Sequence, residues 1–338
     1  MGSIERRVLG SVILGVVALV GFGIYADLQE LVATVSGFDP LLALAALALA
    51  AGNYGVRFVR WHYYLGRIGV TVPPARSLGI FLSGLSMSVT PGKLGELLKS
   101  WLLKTSYGVP VARSAPIVFA ERATDLIALL LLCAVGVASS HYGLEVIVGS
   151  AVVVVGGIAL LLFRPVGERL VGATRHVPGL KRLTPRLLHA YESAVVLLSP
   201  WPLLVAVALS VFAWWLECVA FHVVLVGFEA ARPELGTSTF IYAFATIAGA
   251  ITMLPGGLIA TEGSMIALLQ TVFLVTDDKA VATAGTLITR FCTLWFAVLV
   301  GFAALGLLRR AMRGDPPLGE VPPDAKGPCS DNLIHRGR

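Results

Sequence analysis

Apolar residues fall along this chain in long blocks, separated by short segments rich in Arg, Gly and Pro. A helix needs roughly 20 apolar residues to cross the hydrocarbon core of a bilayer. Blocks of that order lie at 8–26, 40–59, 114–138, 144–163, 201–226 and 282–308, and each is read as a full transmembrane helix. The first follows Arg6 and Arg7 as a signal peptide would, but it is long for a signal region and no small-x-small cleavage site follows it.

Two further apolar stretches, 77–104 and 238–275, are interrupted near their middles at Thr90-Pro91-Gly92-Lys93 and at Leu254-Pro255-Gly256-Gly257. Proline removes a backbone donor and glycine loosens the chain, so each stretch is expected to form two short helices joined at membrane depth. Treating both as re-entrant hairpins leaves about six full spans and puts both termini in the cytoplasm. The charges agree. The cytoplasmic side then receives Arg6, Arg7, Arg57, Arg60, Arg67, Arg76, Lys104, Arg113, the basic loop after 164, Arg309, Arg310 and Arg313. The outer side receives only Arg232 and Lys279, beside Glu229, Glu234, Asp277 and Asp278. This is the positive-inside bias of a cytoplasmic-membrane protein. In that arrangement the first hairpin enters from the cytoplasm and the second from outside.

Composition supports the same class. Of 338 residues, 57% are hydrophobic and 14% charged, against about 25% charged in soluble domains, and the mean hydropathy is +0.84. The expected fold is an all-α polytopic membrane protein. Residues 1–313 form the membrane domain, with repeat units at about 77–138 and 238–308 and a basic cytoplasmic loop at 164–200. The loop reads equally as an interfacial helix on the anionic inner leaflet or as an ordinary positive-inside loop. Residues 314–338, rich in Pro, Gly and charge, are expected to be a disordered tail. The net charge of +6 is spread over the cytoplasmic face, so no nucleic-acid partner is expected. The four cysteines lie far apart with no metal-ligand spacing, and no metal or cofactor is expected. No nucleophile elbow, P-loop, zinc-protease or dinucleotide glycine motif is present, so no enzymatic activity is expected.

Chemistry is concentrated in ionisable residues at membrane depth: Lys93, Glu96, Glu121, Arg122, Asp125, Glu217, Glu262 and Arg290, with His222 near Glu217. A central charge costs about 2.5–3.5 kcal/mol to insert. Eight would cost on the order of 20 kcal/mol, more than a typical net stability, so they must pair or line a wet cavity. The two breaks are each followed by a Glu and then, 26 or 28 residues further on, by an Arg: Glu96 with Arg122, and Glu262 with Arg290. Two such units inserted in opposite directions would form an inverted repeat of the transporter kind. Pairing of this sort reads either as a structural tie between hairpin and span or as part of a substrate cavity.

Thr90 suits an N-cap, Pro91 the first helical position, and Gly92 a close approach of ligand to backbone. A helix starting there would point free N–H groups into the membrane, an anion site that Lys93 and Arg122 would complete. Gly256 and Gly257, with Arg290, would act likewise from the other side, so Gly257→Val is expected to block binding while the protein still folds. The alternative is a plain helix break. Asn53, Tyr54, Arg57, Arg60 and Trp61 form a polar, aromatic end to the second span, with Trp61, Tyr63 and Tyr64 expected as interfacial anchors.

The segments Ser-Val-Thr-Pro-Gly-Lys-Leu-Gly-Glu (88–96), Glu-Arg-Ala-Thr-Asp (121–125), Arg60-Trp61 and Leu-Pro-Gly-Gly (254–257) followed by Glu262 resemble the flippase-like transmembrane domain of the lysylphosphatidylglycerol synthase family. The resemblance runs over roughly residues 5–310. Similar regions are fused to some archaeal dolichyl-phosphate glycosyltransferases. It implies an integral membrane fold that handles lipids, and it matches Pro91, Gly92, Gly95, Glu96, Glu121, Arg122, Asp125, Pro255, Gly256, Gly257 and Glu262 to motif positions. Ile259 stands where a further Gly is usual, and no synthase or glycosyltransferase domain accompanies the motifs.

The expected function is therefore translocation of a phosphate-headed or polyprenyl-phosphate-linked lipid, with its headgroup held between the hairpins. Its candidate binding residues are Thr90, Pro91, Gly92, Lys93, Glu96, Glu121, Arg122, Asp125, Gly256, Gly257, Glu262 and Arg290. The alternatives are a non-transporting scaffold for a glycosyltransferase or lipid-modifying enzyme, and a secondary transporter of a small anion.

Overall fold

The structure, a computed structural model, describes residues 26–90, 96–138 and 194–313, together with Gly21 and Ile24. The expected spans at 8–26 and 144–163, most of the basic loop, the tail, and Pro91, Gly92, Lys93 and Gly95 lie essentially outside the described residues. Among the described residues the protein is all helical and has no strand. The elements are α1 (Leu28–Ser36), α2 (Pro40–Arg67), α3 (Pro74–Leu85), α4 (Leu98–Tyr107), α5 (Val111–Ala138), α6 (Pro200–Val226), α7 (Leu235–Ile251), α8 (Ala260–Ala267), α9 (Lys279–Arg290) and α10 (Phe296–Arg313).

Three helices among the described residues are long and apolar enough to cross a membrane: Pro40–Arg67, Pro200–Val226 and the continuous Lys279–Ala311. The protein is a multi-pass membrane protein. Helix α5 is as long as α2 but carries Glu121, Arg122 and Asp125 along its middle.

Local chemistry sets the helix ends that position the interior. Asp39 caps α2, accepting from the Leu41 amide at 2.8 Å, and Pro40 fills the first position, where no donor is needed. The other end of α2 turns at Gly69 (φ 68°), and Arg113 at the start of α5 donates to the Ile68 carbonyl through both Nε (3.0 Å) and Nη2 (2.6 Å). A cation on a helix C-terminus satisfies carbonyls that the helix itself cannot. This contact fixes the register of α5 against α2. Asp278 caps α9, accepting from Ala280 and Val281.

The α2 helix runs eight residues beyond the expected limit of its apolar block, because Trp61, Tyr64 and Leu65 resume the buried face after Arg60. Trp61 and Tyr64, expected as interfacial anchors, are instead fully buried.

Helix α2 packs along α6, α5 along α6 and α7, and α3 along α10. Two apolar cores result, one among α5, α6, α7 and α9 and the other among α2, α3, α4, the start of α5, and α10. Gly301 of α10 presses directly on the backbone at Leu85 and Ser86, a closeness that a Cβ would forbid. Between α9 and α10 the helix widens into a π turn at Phe291–Trp295. There the Thr293 carbonyl accepts a 2.7 Å bond from Tyr54 Oη of α2.

A buried ion-pair network and the second helix break

Seven charged side chains from α2, α4, α5 and the turn before α4 meet in the interior. Arg60 Nη1 donates to Asp125 Oδ1 at 2.6 Å, to Thr124 Oγ1 at 3.2 Å and to Ser210 Oγ of α6. Lys99 Nζ donates to Glu121 Oε2 at 2.6 Å and lies 3.7 Å from Glu96 Oε2. Arg122 Nη2 donates to Glu96 Oε2 at 3.1 Å and lies 3.0 Å from Asp125 Oδ2. Arg57 Nη2 stands 3.9 Å from both Glu96 and Asp125.

The aromatic rings of the α2–α3 core shape this network. Lys99 Nζ sits 4.7 Å from the Trp61 ring centroid and 5.4 Å from that of Phe81, where the ring faces attract a cation. Its aliphatic stem passes over Gly84, which leaves room for it. Arg57 lies over the Trp214 ring at 5.9 Å.

Four cations (Arg57, Arg60, Lys99, Arg122) pair directly with three carboxylates (Glu96, Glu121, Asp125), and the charge of buried Glu217 also reaches Arg57. Four buried guanidinium nitrogens also lack an acceptor among the described residues: Arg57 Nε, Arg60 Nε and Nη2, and Arg122 Nε. In the same network the carboxylate oxygens Glu121 Oε1 and Asp125 Oδ2 likewise lack a hydrogen-bond donor among the described residues. The Arg122 side chain is 25% exposed where its carboxylate partners are nearly sealed. It lies on the α5 face that also carries exposed Phe119 and Leu126, three and four residues away, so a cation interrupts an otherwise apolar outer stripe.

The second break lies within the described residues. Pro255–Gly257 form a single 3₁₀ turn, and left-handed backbone recurs through it at Met253 (φ 54°), Gly256 (φ 64°), Gly257 (φ 68°) and Ile259 (φ 72°). Arg290 Nε donates to Glu262 Oε1 at 2.6 Å and Arg290 Nη2 to the Gly256 carbonyl at 2.6 Å. One guanidinium thus ties the turn to helix α8. Gly257 packs against the Gly249 backbone and Thr261, so a side chain there would meet protein.

The residues leading into the first break touch the second. Val89, just before Thr90-Pro91, packs against Gly256, and with Leu258, Leu294 and Val298 it forms a small apolar cluster apart from the two main cores.

The structure therefore brings Glu96, Glu121, Arg122 and Asp125 into one network and Gly256, Glu262 and Arg290 into another. Thr90 stands at the edge of the described residues, its hydroxyl donating to the Met87 carbonyl at 2.7 Å. Glu217 and His222 do not pair. Glu217 accepts a 2.6 Å bond from Tyr242 Oη, and His222 bonds Ser238 at 3.1 Å.

Arg57, Arg60 and Lys99 were not expected in the site. Arg57 and Arg60, expected on the cytoplasmic face, are 7% and 0% exposed. The signal that could have found them is helical spacing. Asn53, Arg57, Arg60 and Tyr64 fall three and four apart on one face of α2, all of them buried.

Comparison with known proteins places these features in a family context. The family described as "Lysylphosphatidylglycerol synthase TM region" matches residues 12–301. A "UPF0104 membrane protein" of Methanothermobacter thermautotrophicus is 24% identical over 319 residues, covering 87% of this chain and 93% of that protein. "Glycosyltransferase AglD" of Haloferax volcanii is 26% identical over 135 residues, which is 39% of this chain and 22% of that protein.

Proposed function

Since the chain belongs to the lysylphosphatidylglycerol synthase transmembrane-region family, we propose that it is a translocase for phosphate-headed lipids, including polyprenyl-phosphate types. On this reading it works in the cytoplasmic membrane with both termini inside and has no enzymatic activity of its own. The observation that carries the reading is the buried ion-pair network opening, through Arg122, onto an apolar outer face of α5. A small soluble anion has no use for a cation set in a lipid-facing stripe. A lipid can place its phosphate at Arg122 and Arg57 while its acyl chains lie along Phe119 and Leu126. A guanidinium offers a phosphate paired, charge-assisted donors. Lys93, from its place in the first break, would add a further cation. Arg290 and Glu262 hold the second break in shape.

Alternating access would come from an inverted repeat that is longer than the two hairpins. Features of the first half recur about 160 residues later: the bond of His62 to Ser77 and that of His222 to Ser238, both 3.1 Å, then the two Pro-Gly breaks, then the two Glu–Arg pairs. Asn53 donates to the carbonyl of Ala213, the residue 160 positions on, as expected where equivalent helices α2 and α6 cross near a pseudo-twofold axis.

The test is reconstitution in phosphatidylcholine vesicles holding a panel of fluorescent lipids that differ in headgroup, with leaflet position read by dithionite quenching. Faster exchange of one or more phosphate-headed lipids, lost in folded Arg57→Gln and Arg122→Gln variants, is expected. The scaffold reading is favoured by the match to Glycosyltransferase AglD. It would replace this one if no lipid exchanged and the chain instead co-purified with a glycosyltransferase.

A further inference from the structure

We infer that Val89, Leu258, Leu294 and Val298 form an apolar gate across the headgroup path, and that their bulk sets the largest headgroup that crosses; the inference rests on the translocase reading above. The four side chains come from three places. Val89 leads into the first break, Leu258 directly follows the second, and Leu294 and Val298 belong to the π turn and the start of α10. All four are buried, and Trp295 packs against them.

This cluster is tied to both charged groups. Thr293, next to Leu294, accepts from Tyr54 Oη at 2.7 Å, and Tyr54 stands one turn before Arg57 on the buried face of α2. On the other side Arg290 Nη2 donates at 2.6 Å to the carbonyl of Gly256, and Gly256 packs on Val89 and Leu294. A headgroup moving from Arg57 and Arg122 toward the second break therefore meets the cluster on its way. A phosphate finds no hydrogen-bond partner among aliphatic side chains, and an apolar constriction stays shut to it until the walls part. A barrier that opens and closes in this way is what alternating access requires.

The same residues show how the gate closes and what can open it. Gly256 has φ 64°, and a Cβ there would lie 3.1 Å from Leu294 Cδ2 and 3.3 Å from Val89 Cγ1. Glycine alone gives the turn that backbone and lets it close so tightly on its neighbours. Leu294 sits inside the π turn, a local widening of the helix of the kind found at kinks and functional sites. Bending at this turn carries Leu294 away from Gly256 while Asp278 still caps α9 and Gly301 still holds α10 on α3. For a bend of given size, smaller side chains leave a wider opening, which makes these residues determinants of headgroup size.

The test uses the full chain in phosphatidylcholine vesicles with a trace of acyl-labelled fluorescent phosphatidylglycerol or phosphatidylinositol, phosphodiesters of equal charge and different bulk. Leaflet position is read by dithionite quenching, and the ratio of the two exchange rates is the readout. Leu294→Ala and Val298→Ala should each raise phosphatidylinositol exchange several-fold relative to phosphatidylglycerol. Leu294→Phe should lower that ratio several-fold. Lost packing alone would change both rates together. An unchanged ratio in folded Leu294→Ala and Val298→Ala proteins, or a shift in the same direction for Leu294→Ala and Leu294→Phe, would overturn the gate and leave the translocase intact. Absence of exchange of every phosphate-headed lipid by the wild type would remove the translocase reading, and the gate with it.

Discussion

Replacing Ile259 with glycine should stabilise the protein, against the usual direction for removing a large apolar side chain. Ile259 precedes α8 with φ 72° and ψ −52°, near the strained γ-turn geometry, and it is β-branched. Holding a non-glycine residue in such a region costs about 1–3 kcal/mol. Glycine removes that cost but adds unfolded-state entropy worth about 0.4–1 kcal/mol. Little packing is lost, because Ile259 is 43% exposed and a lipid-facing side chain gains little from burial against protein. The net gain is about 1–2 kcal/mol, or a rise of about 2–5 °C in melting temperature by the size scaling of soluble domains. Thermal unfolding of the detergent-solubilised protein, followed by tryptophan fluorescence, measures it. Ile259→Ala is the control, since alanine keeps the strain and should melt no higher than the wild type. A lower melting temperature for Ile259→Gly would mean that the turn is not strained as described.

Glu121→Gln should destabilise by about 3–5 kcal/mol, because Lys99 then keeps a buried charge without its 2.6 Å partner; the double variant Glu121→Leu with Lys99→Met should recover much of the loss on the same melting curve. Gly301→Ala should cost about 1–3 kcal/mol by driving α10 off the end of α3, seen as a lower melting temperature and poorer monodispersity on size exclusion. Gly257→Val should fail mainly as a folding variant, since its side chain meets Gly249 and Thr261; a stable but inactive protein would instead favour a ligand-facing position. Glu96→Gln with Arg122→Gln should fold yet not transport, whereas recovery of transport would make that pair structural only.

The two Glu–Arg pairs and the second break were legible because the sequence repeats the same order at nearly the same spacing, and a buried charge needs a partner. The spans at α2, α6 and the continuous α9–α10 helix followed from block length. What stayed hidden has a common cause. Arg57 and Arg60 end an apolar block, so hydropathy assigns them to the interface, and only the buried aromatic residues beyond them continue the packed face of α2 toward Arg67. Lys99 looks like a short-helix cation until tertiary packing sets Trp61 and Phe81 around it. The contact of Val89 with Gly256 joins residues far apart in sequence, which no local pattern encodes. Helix α1 lies just after the first apolar block, and Asp27, accepting from the Gln29 amide at 3.0 Å, marks its start.

Native mass spectrometry of the purified protein bears most directly on whether the network is a lipid headgroup site. Released from detergent, the wild type should retain one phosphate-headed lipid, identified by its adduct mass. Arg57→Gln combined with Arg122→Gln should lose about nine-tenths of that adduct while remaining folded. Equal retention by wild type and variant, or retention of lipids without regard to headgroup, would contradict the assignment.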